Sequence, residues 1–110
     1  MKYLITESQF DNVIFRYLNN QDFIKIEKGN RIYFLNSEGD TFAQIRCNKN
    51  DRVCFISYKL VNEISSFFSL QTSDSEEIIV KWVENTIQMK VKYTSRLGPN
   101  TSSKLRIPSN

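Results

Sequence analysis

FIKIEKGNRIYFLN, residues 23–36, decides the fold. Gly29-Asn30 is a two-residue turn signal between segments rich in β-branched and aromatic residues, the pattern of a β-hairpin. That turn sets Lys28 opposite Arg31 and Ile26 opposite Tyr33, so Ile24, Ile26, Tyr33 and Leu35 share one face. The next segment, Asn36-Ser37-Glu38-Gly39, suits a type I turn closed by a glycine bulge. It pairs Asn36 with Asp40 and Tyr33 with Ala43, and the same apolar face runs on through Ala43, Ile45 and Cys47. A third turn at Asn48–Asp51, of two or four residues, brings Cys54 and Ile56 to that face in either length. The stretch therefore predicts a four-stranded antiparallel meander.

Outward from the meander, the pattern changes period. Phe10, Val13, Ile14, Tyr17 and Leu18 recur at the spacing of one helix face. Tyr3-Leu4-Ile5 reads as a short strand before this helix. Thr6 with Gln9 forms a capping box, and Ile5 with Phe10 a hydrophobic staple. After the meander, Leu60, Val61, Ile64, Phe67 and Phe68 predict a second helix from Ser57 to about Leu70. Ser73 and Glu76 form another capping box, and Ile79, Trp82, Val83 and Ile87 stripe a third helix ending near Lys90. The predicted fold class is α+β: one helix, a four-stranded antiparallel meander, then two helices.

The 110 residues divide by charge. Residues 1–89 carry ten Lys/Arg and twelve Asp/Glu, whereas residues 90–110 carry Lys90, Lys92, Arg96, Lys104 and Arg106 and no acid. Residues 1–93 therefore read as one domain and residues 94–110 as a basic, irregular C-terminal extension. Leu97, Leu105 and Ile107 are spaced as apolar anchors along that extension. A segment this polar is expected to take shape against another molecule.

Composition excludes several chemistries. The chain has no histidine, which removes Ser-His-Asp and Cys-His catalysis and histidine-ligated zinc. The three glycines, Gly29, Gly39 and Gly98, cannot form a phosphate-binding loop. Asp22, Glu38 and Asp40 would gather at one end of the meander, but turn acids ordinarily bond backbone amides, so no metal site is expected. No catalytic residue and no cofactor are expected either. A histidine-free hydrolase built on those three acids is the third-ranked reading. The pair Cys47 and Cys54 is geometrically capable of a cross-strand disulfide. With no secretion signal the expectation is two buried thiols.

The opposite face of the meander carries Phe23, Lys25, Glu27, Ile32, Phe34, Phe42, Gln44, Arg46, Val53 and Phe55. Helices covering both faces would bury it. Left open, it would meet a protein neighbour or, through its phenylalanines and Lys/Arg, stack bases. The preferred function is a non-enzymatic structural or adaptor protein that docks on another protein, or on copies of itself, through this surface and the tail. Its contact residues would be Phe34, Phe42, Arg46, Arg96, Leu97, Lys104, Leu105, Arg106 and Ile107. The alternative is a small nucleic-acid-binding module using the basic tail and the Phe/Arg face. No apolar run approaches the roughly 20 residues of a membrane span. The start turns polar too early for a signal peptide, so an unsecreted protein is expected, in a host cytoplasm or a virion.

The opening Leu4-Ile5-Thr6-Glu7-Ser8-Gln9-Phe10, followed by Val13-Ile14 and Tyr17-Leu18, resembles the N-terminus of short tailed-bacteriophage proteins. The resemblance covers the first 18 residues or so of the chain. It implies a phage or phage-like source and a virion or host-interaction role, and it carries no catalytic residue.

Overall fold

The computed structural model describes residues 7–35, 43–97 and 105–107, with the side chains of residues 7–10 left aside. Eight elements follow in order: α1 (Glu7–Asn19), β1 (Ile24–Lys28), β2 (Arg31–Leu35), β3 (Ile45–Asn48), β4 (Val53–Ser57), α2 (Tyr58–Phe68), α3 (Thr72–Ile87) and β5 (Tyr93–Leu97). The class is α+β, with the three helices and the antiparallel β1–β4 meander at the expected places in the chain. A fifth strand is added: β5 pairs with β4 in parallel, giving the sheet order β1-β2-β3-β4-β5. Residues 94–97 thus belong to the sheet rather than to an irregular extension. A parallel pair needs a long crossover, and the α2–α3 hairpin supplies it.

The β1–β2 register is the one the Gly29-Asn30 turn dictates, with Lys28 opposite Arg31 and Ile26 opposite Tyr33. Gly29 has φ 60°, the left-handed conformation needed at the first central position of a tight hairpin turn. The β3–β4 register also agrees, with Cys47 opposite Cys54. The β2–β3 register does not. Tyr33 faces Arg46 and Phe34 faces Ile45, so the expected Tyr33–Ala43 pairing is displaced by three residues. An odd displacement moves side chains to the other face. Ile45, Cys47, Cys54 and Ile56 therefore join Ile32 and Phe34, not Tyr33 and Leu35.

All three helices cover the first of these faces. Ile14 and Leu18 of α1, Leu60, Val61 and Ile64 of α2, and Ile78, Ile79, Trp82 and Val83 of α3 form one core with Ile32, Phe34, Ile45, Cys47, Cys54 and Ile56. The arrangement with helices on both faces is not adopted. At the helix interface, the Ser65 and Ser75 hydroxyls share a hydrogen bond of 2.7 Å, which satisfies the fully buried Ser75. Trp82 is 5% exposed and donates its indole N–H to Asn19 Oδ1 at 2.9 Å, tying α3 to the end of α1.

Both α2 and α3 end on a left-handed residue that is not glycine, Ser69 (φ 54°) and Gln88 (φ 56°). The following amides, of Leu70 and Met89, close the last turns onto Ser65 O and Glu84 O. At its start, α3 departs from the expected capping box. It begins at Thr72 after Gln71, with no side-chain cap bond, so Ser73 lies inside the helix. The Tyr3–Ile5 strand, the Thr6–Gln9 box and the turn at residues 36–39 lie outside the described residues or side chains.

Cys47 and Cys54 are joined as a cross-strand disulfide and fully buried, so the expectation of two thiols is corrected. Their Cα atoms are 4.2 Å apart, the close spacing of a non-hydrogen-bonded antiparallel pair. Closing so short a loop is worth up to about 2 kcal/mol on a chain-entropy account. Reduction under denaturing conditions, followed by refolding in reductant, is expected to lower the unfolding free energy from urea titration by about that much, and the midpoint with it. Equal midpoints with and without reductant would refute it.

Candidate docking surfaces

The helix-free face of the sheet is built from Ile24, Ile26 and Lys28 on β1, Arg31, Tyr33 and Leu35 on β2, Arg46 and Asn48 on β3, and Val53 and Phe55 on β4. Tyr93, Ser95 and Leu97 extend it on β5. These strand positions carry three cations and no carboxylate. Arg46 is 8% exposed, with its guanidinium 4.6 Å from the centre of the Phe55 ring, a cation–π contact. Burial and the neighbouring Arg31 lower the Arg46 pKa, yet a guanidinium stays charged throughout the working pH range.

The tail returns to this same face. Leu105 is 2% exposed, and its carbonyl accepts the Ala43 amide at 2.8 Å. Ile107 packs on the buried cluster of Tyr33, Leu35 and Ala43. Leu97 is buried in β5. Arg96 points to the helix side, where its Nε lies 3.0 Å from Glu76 Oε2, and Glu76 Oε1 accepts the Thr94 hydroxyl at 2.9 Å. Glu76, read from sequence as a capping acid, is instead the clasp that fixes β5 to α3. The expected anchors thus hold the chain to itself. Of the described tail residues 94–97 and 105–107, Arg96 and Arg106 are exposed.

Phe34 and Arg46, assigned together to one contact surface, lie on opposite faces, Phe34 under Trp82 and Arg46 over Phe55. Phe42 and Lys104 lie outside the described residues, as do Glu38 and Asp40 of the acidic trio. Asp22 is exposed just beyond α1, and the described residues contain no group of three metal-ligating side chains. At the far end of the hairpins, Lys49 bonds and pairs with Glu27 and holds its carboxyl below the ordinary range. The pair's contribution is present at neutral pH and lost as pH falls through the lowered value; being exposed and screened, it is small.

The surface that sequence reasoning missed is on the helices. Phe67 near the end of α2 is 68% exposed. It lies 5.1 Å from Tyr17 of α1 and 4.9 Å from Phe68, ring centre to ring centre. Val13, one turn before Tyr17 and about half exposed, continues the strip along α1. Val13, Tyr17 and Phe67 all belong to helical stripes that the sequence assigned to the core. A stripe wider than the interface it covers leaves its outer members in water. That excess was the available signal.

No protein-family model, no curated protein and no solved structure matches this chain. Among the described residues, no helix is long and apolar enough to cross a membrane.

Proposed function

We propose that the protein is a non-enzymatic adaptor that docks on a protein neighbour through the Val13–Tyr17–Phe67 strip. One observation carries the reading: an aromatic ring of Phe67's size, 68% in water and continuous with two further apolar side chains. Aromatic side chains are enriched at interface centres and dominate their energetics. The sheet-and-tail surface of the sequence reading gives way to the helix layer because Leu97 and Leu105 are buried against their own domain. The resemblance of the opening to tailed-phage proteins would make the neighbour a virion or host protein.

Phe67→Asp tests this reading. An exposed substitution should shift stability by less than about 0.5 kcal/mol, while a partner retained by the intact chain should be lost. Retention of the same partner by the variant, with an unchanged circular-dichroism spectrum, would refute the strip. A second reading, nucleic-acid binding, draws on Lys28, Arg31 and Arg46 on a sheet face whose described strand positions have no acid. It requires retention of single-stranded DNA or RNA that weakens steeply with salt.

A further inference from the structure

Where α1 passes into β1, the chain leaves a cleft of about 340 Å³ between the helix layer and the sheet edge. Its floor is aromatic. The rings of Phe23, Phe34 and Trp82 form a triangle, with centres 5.7 Å apart for Phe23–Trp82, 5.4 Å for Phe34–Trp82 and 6.4 Å for Phe23–Phe34. The Trp82 indole is locked, its N–H donated to Asn19 Oδ1 at 2.9 Å. Phe34 and most of Trp82 are buried, whereas Phe23 is half-buried and open to the cleft.

The rim is charged with both signs. Asp22 takes a left-handed backbone conformation, φ 54°, which turns the chain sharply from α1 toward β1. Lys25 is opposite Phe34 in the β1–β2 register and therefore on the helix side of the sheet, over the cleft. Both side chains are exposed. Lys25 interacts electrostatically with Glu27 two positions along β1, which is itself paired with Lys49, and Asp22 makes no side-chain ion pair among the described residues. Ion-paired acids and bases elsewhere on the helix layer, such as Asp11 with Lys81 at 3.5 Å, satisfy one another. Here one carboxylate and one ammonium stand beside an aromatic floor.

We propose that this cleft binds a free aromatic amino acid. The ring lies against Phe23 and the exposed edge of Trp82, the α-ammonium faces Asp22, and the α-carboxylate faces Lys25. Size agrees with this class. A dry protein cavity of about 150 Å³ holds a benzene molecule. The cleft therefore has room for a ring plus a zwitterionic head group. A ligand with only one charge would leave the second rim group without a partner. The site is independent of the Val13–Tyr17–Phe67 strip and of the adaptor reading.

Trp82 is the sole tryptophan of the chain, so fluorescence excited beyond the absorption of tyrosine and phenylalanine comes from the indole that lines this cleft. Titration of the intact protein with L-phenylalanine should give a saturable change. Equilibrium dialysis should return the same affinity. Asp22→Asn and Lys25→Met should each weaken binding up to about fivefold, the worth of one exposed ion pair, and Lys59→Met on α2 should not. L-leucine, phenethylamine and phenylacetate should each bind more weakly than L-phenylalanine. The proposal is overturned by the absence of a saturable change up to the solubility limit, by equal binding of leucine or of a singly charged analogue, or by unaltered affinity in both rim variants.

Discussion

Removing residues 105–110 should lower stability by about 2–3 kcal/mol, the worth of one fully buried leucine with part of an isoleucine. For a domain of this size that is a fall in Tm of roughly ten degrees or more. Leu105 is 2% exposed, Ile107 packs on Tyr33, Leu35 and Ala43, and the Ala43 amide depends on the Leu105 carbonyl. Deletion strips this cover from the helix-free face and leaves a buried donor unpaired. Leu105→Asp in the full-length chain should reproduce most of the loss, because it puts a charge into the same pocket without shortening the chain. A tail that took its shape only on a neighbour would give the opposite result: identical melting curves for the intact and truncated proteins. Thermal melts followed by circular dichroism separate the two outcomes.

Trp82→Ala should cost about 3–5 kcal/mol, the range for deleting a large buried aromatic side chain. The total stability of a small domain is about 5–15 kcal/mol, so this variant should be partly or wholly unfolded at physiological temperature. Trp82 touches Phe23 and Phe34 across the helix–sheet interface and bonds Asn19 at the end of α1. Its loss opens a cavity between three elements and orphans the Asn19 carbonyl. Trp82→Phe keeps most of the ring area and loses the hydrogen bond, so its cost should be about 1–2 kcal/mol. Urea denaturation of the three proteins gives the order directly, and a Trp82→Ala midpoint close to that of the parent would contradict the core described above.

The two results bear on how the molecule presents itself. With Leu97 and Leu105 drawn into the domain, the basic tail offers Arg106 rather than its apolar anchors to the surroundings. What remains prominent on the outside is the aromatic strip of α1 and α2. Phe67 has no covering element among the described residues, and large exposed apolar patches on soluble proteins ordinarily mark interfaces.

Elements were legible in the sequence because they are fixed locally. The period of Val13, Ile14, Tyr17 and Leu18, or of Leu60, Val61 and Ile64, needs only neighbours three or four residues away to be read. The Gly29-Asn30 turn sets its own hairpin register, since two residues leave no slack. Cys47 and Cys54 likewise share a face with a turn of either length and fall directly opposite each other with the two-residue one, the register the structure adopts. The candidate surfaces were far less legible. Phe34 and Arg46 were assigned to one face on the strength of a turn at residues 36–39, and β2 offered nothing to check it. The run Ile32-Tyr33-Phe34-Leu35 is buried on both sides, so alternation could not tell which side the helices take.

The sequence by itself determined three helices, an antiparallel meander, and an α+β chain without histidine chemistry. All of that follows from short-range spacing and residue type. Tertiary structure alone decided which side of the sheet became the core, where β5 went, and what the tail does. An odd shift between β2 and β3 exchanges the two faces, and only the packing of α1, α2 and α3 against Ile32, Phe34, Ile45 and Ile56 selects one. The polar strand Tyr93–Leu97 has no signal of its own; it is a strand because β4 offers an open edge and Glu76 holds Thr94 and Arg96 beside it.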